Sequence, residues 1–189
     1  MSKLNEECGI FGIFEAEEAA VHTTLGLHAL QHRGQEGAGI VSFDGKSFYS
    51  IKKEGLVGDN FNNTEILSQL PGNTAIGHVR YSTTGESKSE NLQPLFANLA
   101  LGGFACAHNG NLTNTMSLKK QLVDTGSIFQ TTSDTELILQ LVARSKKQKL
   151  MDKLIDALYQ IKGAYSLIIL TNKKLIGIKD PFGIRPLVL

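Results

Sequence analysis

Cysteine is scarce in this chain. Cys8 and Cys106 lie 98 positions apart and no CxxC spacing occurs. Two such residues cannot build a disulfide scaffold, and the pattern is wrong for a zinc site. A reducing, cytoplasmic setting is the expectation from that usage. An excess of one charge sign is also missing: 19 Lys and Arg against 18 Asp and Glu leave a formal charge of +1, with no basic block or stripe. This argues against a nucleic-acid partner and against binding to a membrane surface. Long apolar runs are lacking as well. The most apolar stretch, 164–170, is far shorter than the roughly 20 residues a spanning helix needs. The start has Lys3 as its one base, with Asn5, Glu6 and Glu7 ahead of a short apolar run, which is not a secretory signal.

What remains is a chain of 189 residues, enough for one domain with a sizeable core. Glycine is the compositional excess, with 19 residues. Most sit in short polar stretches, as when backbone approaches a ligand. Residues 9–14, GIFGIF, read as a short buried strand, and 16–31 as a helix. Residues 32–37 read as a loop by their glycines. Strands are expected at 38–43 and 47–52 around Asp44-Gly45, a weaker helix at 61–70 before Pro71-Gly72, and a strand at 74–79. A second buried strand is expected at 99–107, with 108–111 in the turn after it. Leu118 and Leu122 mark a short helix. Ser133 to Glu136 read as a capping box opening another, and Leu150, Leu154, Leu158 and Ile161 form the stripe of a third. Strands at 164–170 and 174–178 pair around 171–173, and 184–189 run apolar as a last strand. Strands in adjacent pairs and helices in their own groups are α+β logic with mainly antiparallel sheets. A strand ending without a polar tail reads as a domain cut from a longer chain.

Several residue types suggest chemistry, each beside a plainer alternative. Cys8 is either a small core residue or a nucleophile. If the bond before it is cut, its own α-amine (pKa near ~7.7–8.0) becomes a base on the same residue as the thiol. Arg80, ending a strand, is either a surface arginine or a bidentate clamp for a carboxylate. Asn109 and Gly110 are either a common tight-turn pair or two donors for a developing oxyanion. Asp134 either favours a helix dipole or binds an ammonium group. His28 and His32 are four apart, but no third ligand fits, so no metal site is expected. Cys106, inside an apolar strand, reads as an inert buried thiol. Together, a carboxylate binder, an ammonium binder, a thiol and an oxyanion hole describe a site for a free α-amino acid with a reactive side-chain amide. Glutamine is such a molecule.

The segment Cys8-Gly9-Ile10-Phe11-Gly12 resembles the start of the class II glutamine amidotransferases, which are N-terminal nucleophile hydrolases. LQHRGQEGAG at 30–39, GHVRYST at 77–83, AHNGNL at 107–112, TSDTE at 132–136, KGAY at 162–165 and DPFGIRPL at 180–187 narrow the resemblance to the amidophosphoribosyltransferase family. The resemblance runs in order from Asn5 to Leu189. It implies a four-layer αββα sandwich with two stacked, mainly antiparallel sheets. It implies glutamine hydrolysis to glutamate and ammonia, with Cys8 as nucleophile and its α-amine as base. Asn109 and Gly110 would be the oxyanion donors and Arg80 the grip on the α-carboxylate. The Thr83 region would line the same pocket, Asp134 would hold the α-ammonium, and Arg33 and Gly34 would border the pocket.

The family has members made with a short propeptide, and residues 1–7 place this chain with them, leaving 8–189 as the glutaminase domain. The family's diphosphate-binding signature, two acidic residues before a glycine- and threonine-rich loop, is not in this sequence. Use of the ammonia on phosphoribosyl diphosphate, giving 5-phosphoribosylamine in the first step of purine synthesis, would therefore need a missing phosphoribosyltransferase half. The family's Mg²⁺ would belong there too, with no cofactor in this domain. The expected partners are L-glutamine and, at most, further copies of the chain. The rivals are another class II amidotransferase, a hydrolase of acylated amides, and an inactive remnant or regulatory module.

Overall fold

The computed structural model describes residues 8–81 and 89–189. The expected propeptide, 1–7, and Thr83 lie outside the described residues. The first sheet contains β1 (Gly9–Ile13), β2 (Gly37–Phe43), β3 (Phe48–Glu54) and β4 (Thr74–Arg80), ordered β1-β4-β2-β3. The second contains β5 (Leu95–Leu99), β6 (Gly102–Leu112), β7 (Gly163–Thr171) and β8 (Leu175–Lys179), in that order. Every neighbouring pair is antiparallel. Outside the first sheet lie α1 (Ala19–Ala29), α2 (Val57–Asn60) and α3 (Thr64–Ser68). Outside the second lie α4 (Thr115–Asp124), α5 (Asp134–Arg144) and α6 (Leu150–Leu158). The result is an α+β sandwich of four layers, αββα.

Strand alternation builds three apolar layers. In β6, Phe104 and Cys106 face α5 and α6 with Leu137, Ile138 and Leu154, while Ala105 and Ala107 face the other sheet. In β4, Ile76 meets that same middle layer, whereas Ala75 and Val79 pack with Leu27 and Ala20 of α1. Small residues on one inner face let the two sheets approach, and Val41, Phe43, Ile168 and Leu170 fill the space. Each fully buried Leu or Ile contributes about 1.5–3 kcal/mol, so Leu137→Asp, which also buries a charge, would undo the helix side of the second sheet.

Several expectations need correction. The helix expected at 16–31 is shorter, and the supposed loop after it begins as a 3₁₀ turn, Gln31–Arg33. That turn is held because Gln31 bridges two backbones: its amide donates to the Gly34 carbonyl, and its Oε1 accepts from Val57 N–H at 2.6 Å. The helix expected at 61–70 is shorter: α3, Thr64–Ser68, is the part of it that forms, capped by Asn63 through Glu65 N–H at 2.6 Å, and α2 lies just before that stretch. The strand expected at 99–107 is a hairpin, because chain reversal at Leu99–Gly102 separates β5 from β6. Residues 108–111 are therefore not in a turn. They continue β6 and pair with 164–167 of β7. The apolar end 184–189 forms no strand. Asp180 instead gathers the backbone N–H groups of Phe182, Ile184, Arg185 and Tyr165 at 3.0–3.3 Å, turning the chain away from the ladder.

Candidate active site

The two sheets bring distant residues to one end of the sandwich. Cys8 immediately precedes β1, and its backbone is gripped by Arg33. Cys8 N–H donates to the Arg33 carbonyl at 2.9 Å, and Arg33 Nε–H donates back to the Cys8 carbonyl at 2.8 Å. The thiol sits over the end of β4: Tyr81 N–H lies 3.5 Å from Sγ, and Sγ lies 3.6 Å from the Tyr81 carbonyl. Cys8 adopts φ 64, a conformation an L-residue keeps only when its surroundings enforce it. The Arg33 clamp supplies that enforcement.

Beside the thiol opens a pocket of about 430 Å³, lined by Cys8, His78, Arg80, Gly110, Asp134 and their neighbours. Its walls come from β4, from β6 and from the start of α5. Ser133 caps α5, its Oγ accepting from Thr135 N–H at 3.2 Å. Glu136, expected to close a capping box, instead binds Gln130 N–H and Thr131 N–H at 2.8 and 2.7 Å. Those bonds hold the segment before the cap, and Asn91 bonds Thr132 twice from the opposite side. The first residue of α5, Asp134, thereby reaches the pocket wall.

Asp134 is tied to β6 through both oxygens. Oδ1 is 3.0 Å from His108 Nδ1, and Oδ2 accepts from Leu112 N–H at 3.1 Å. Burial pushes this carboxyl up, but the His108 ring and the Leu112 N–H outweigh it and hold the group below the ordinary carboxylate value. His78 is completely buried, and burial lowers its pKa to about 3, so it is uncharged at neutral pH. Its Nε2 donates to the His108 carbonyl at 3.2 Å, a polar link between the two sheets. Cys106 is buried on the helix side, where burial pushes its thiol far up.

A second cavity, about 460 Å³ and mainly apolar, opens between the sheets, lined by Gly9, Ile10, Arg33, Asn109, Ile168 and Leu187 among others. Asn109 lines this cavity, while Gly110 lines the open pocket. The Asn109 side-chain oxygen is buried with no hydrogen-bonding partner among the described residues. Gly110 has φ 150, and a Cβ there would collide with the Ala164 carbonyl, so only glycine fits. A larger groove of about 640 Å³, with Lys52, Phe96 and Gln140, has neither cysteine in its lining. Among the described residues no three His, Cys, Asp or Glu side chains are grouped to hold a metal ion, and no helix is long and apolar enough to cross a membrane.

Comparison with known proteins agrees with this geometry. A family model described as a glutamine amidotransferase domain matches residues 78–189. The amidophosphoribosyltransferase of Rhizobium etli is 58% identical over 98% of this chain and 38% of its own length. That of Lacticaseibacillus casei is 48% identical over 98% of this chain and 95% of its own length. The solved structure of glutamine phosphoribosylpyrophosphate amidotransferase from Bacillus subtilis, complexed with ADP and GMP, aligns with a TM-score of 0.87 at 49% identity, covering 94% of this chain and 38% of that one. The chain belongs to the amidophosphoribosyltransferase family. It corresponds to the family's glutamine amidotransferase domain and spans 38% of the length of the Rhizobium etli relative.

Within this amidotransferase domain, Cys8, Arg80, Gly110 and Asp134 line one pocket, as the sequence suggested. Arg33 and Asn109 line the neighbouring cavity instead. Gly34 lines neither; a Cβ there would sit 2.7 Å from the Arg80 carbonyl carbon, so its place is backbone packing against β4. Sequence reasoning missed His78, His108 and Gln93 as parts of the site. Both histidines stand inside the quoted motifs, but nothing local says that one bonds across the sheets and the other to α5. Gln93 Oε1 accepts from His108 N–H at 2.8 Å, a contact across fifteen residues with no periodic signal.

Proposed function

We propose that the domain hydrolyses L-glutamine to glutamate and ammonia in the pocket beside Cys8. The observation that carries this reading is the convergence of the Cys8 thiol, Arg80 and Asp134 on one pocket of amino-acid size. The guanidinium supplies two parallel donors for an α-carboxylate, and the Asp134 carboxylate an acceptor for an α-ammonium. A side-chain amide held between them extends toward the thiol. The thiolate attacks the amide carbon. The tetrahedral oxygen forms at the boundary of the two cavities, where Cys8 adjoins Gly9 and Gly110 adjoins Asn109, and takes up donors from Asn109 and Gly110. The α-amine of Cys8, once residues 1–7 are removed, takes the thiol proton and passes it to the departing ammonia. Water then cleaves the thioester, releasing glutamate and restoring the thiol.

In the whole protein, by analogy with its amidophosphoribosyltransferase relatives, the ammonia goes on to phosphoribosyl diphosphate. That step is assigned to sequence the Rhizobium etli relative has beyond the part matched here.

Glutamate release from glutamine, measured beside the intact mass of the N-terminus, tests the reading. Activity should follow the species that begins at Cys8. Full activity in a species retaining residues 1–7 would remove the α-amine from the mechanism, and full activity in Cys8→Ala would remove the thiol.

A further inference from the structure

We propose that His108 is a positioning residue for substrate recognition, its ring holding the Asp134 carboxylate in the orientation that receives the substrate's α-ammonium. The inference rests on the reading of Asp134 just given.

Apart from the Leu112 N–H, Asp134 has little else to orient it. As the first residue of α5 it would otherwise be free to turn toward the exposed N–H groups of its own helix, a favourable place for a carboxylate. The ring takes one oxygen at 3.0 Å and the Leu112 N–H the other at 3.1 Å. Because a carboxylate oxygen accepts more than one bond, the group is fixed without being used up. Its side chain keeps 20% exposure, against 1% for His108, so the carboxylate stays reachable from the pocket and the ring does not.

The backbone of His108 is itself held by two side chains. β5 begins at Leu95, opposite Cys106, so the backbone of His108 two residues on has no β5 partner. The Gln93 side chain takes its N–H at 2.8 Å, and His78 Nε2 donates to its carbonyl at 3.2 Å. The ring then projects from an anchored backbone. Its Nε2 is buried with no partner among the described residues, so its strong polar bond is the one to Asp134, with Thr135 Oγ1 a longer neighbour at 3.5 Å. A histidine retained only to fill space beside Tyr165 would not need two side chains to anchor its backbone.

Two substrates separate positioning from filling: glutamine, and 4-carbamoylbutanoate, which is glutamine without its α-amino group. Four proteins are compared by amide hydrolysis: the unmodified chain beginning at Cys8, His108→Met, His108→Asn and His108→Gln. Methionine keeps volume but has no donor. Asparagine places an amide nitrogen near the ring's Nδ1 position, and glutamine places it near Nε2. The expected result is a KM for glutamine raised about tenfold to a hundredfold in His108→Met, with kcat within a few fold. Hydrolysis of 4-carbamoylbutanoate should be nearly unchanged, and His108→Asn should recover most of the loss where His108→Gln does not. If His108→Met does not fold, the contrast between Asn and Gln carries the test alone. Equal losses on both substrates, or equal behaviour of Asn and Gln, would overturn the positioning role. The underlying reading fails separately: the unmodified chain would then treat the two substrates alike.

Discussion

The two halves of the site are built in different ways. The half on the first sheet, around Cys8, is held mainly through backbone: the Arg33 carbonyl and the Tyr81 N–H and carbonyl meet Cys8, and among the described residues the Arg33 guanidinium is the one side chain in that grip. The half around Asp134 is held through side chains: the His108 ring fixes the carboxylate, Gln93 and His78 of β4 fix the His108 backbone, and Glu136 separately holds the segment before α5. Backbone contacts tolerate substitution of the residues that supply them, whereas a side-chain network fails when one member is removed. The nucleophile half should therefore be sensitive mainly at Cys8 and Arg33. The recognition half should be sensitive at several positions that never touch substrate.

Mutations can break this contrast, beginning with the largest effect. Cys8→Ala should lower kcat by about 10⁴ or more, as loss of a nucleophile does, with the melting temperature almost unchanged because nothing in the core depends on the thiol. Asn109→Ala should cost about 10²–10³ in kcat with little change in KM, since a donor aimed at the oxyanion acts only in the transition state. Steady-state glutamate release measures both. A fall in Asn109→Ala confined to KM would place that side chain with the binding groups instead.

Asp134→Asn should raise the KM for glutamine by about tenfold to a hundredfold, the worth of a charge-assisted hydrogen bond. The same carboxylate gives the recognition half a pH signature. Its folded-state pKa is depressed, so its contribution to stability is complete above the unfolded value of about 3.9 and is lost as pH falls through the folded value below that. Thermal melts below pH 5 should show a shallower acid-side decline for Asp134→Asn than for the unmodified chain, and an unchanged slope would contradict the depressed pKa. The smallest effect is at the second cysteine. The Cys106 thiol is buried and held protonated, so alkylation of the folded chain near pH 8 should add one group, mapping to Cys8. Early modification at Cys106 would mean that the helix side of the second sheet opens readily.

Much of the fold was legible. The apolar stretches at 9–14, 38–43, 74–79 and 164–170 became strands with boundaries within about two residues, and the stripe from Leu150 became α6. Three of these strands are apolar and buried along almost their whole length, and α6 carries a helical stripe, both of which local pattern records. The failures share another cause. β5 was missed because Leu95–Leu99 is a five-residue edge strand, half-exposed, whose partner is set by the reversal at 99–102. The stretch 108–111 was taken for a turn because Asn-Gly is a turn pair, yet β7 captures it and β6 runs on to Leu112. The terminal segment 184–189 has the composition of a strand, but Asp180 consumes the N–H groups that would have started one.

Cys8 shows what each level decided. The sequence by itself determined the chemical inventory: a thiol before a glycine-interrupted strand, an arginine ending another, an Asn-Gly pair, and an aspartate opening a helix. Residue types and their order along the chain are enough for that, because reactivity and donor capacity belong to single side chains. Tertiary structure alone decided which of them share a pocket. Stacking two antiparallel sheets brings β4 and β6 face to face at one end, so Arg80 and Asp134, 54 positions apart, line the same cavity. It also divided the Asn-Gly pair between two cavities, because adjacent residues of a strand point to opposite faces. That division, and the histidines that tie the sheets together, depend on distances between segments, which no local pattern encodes.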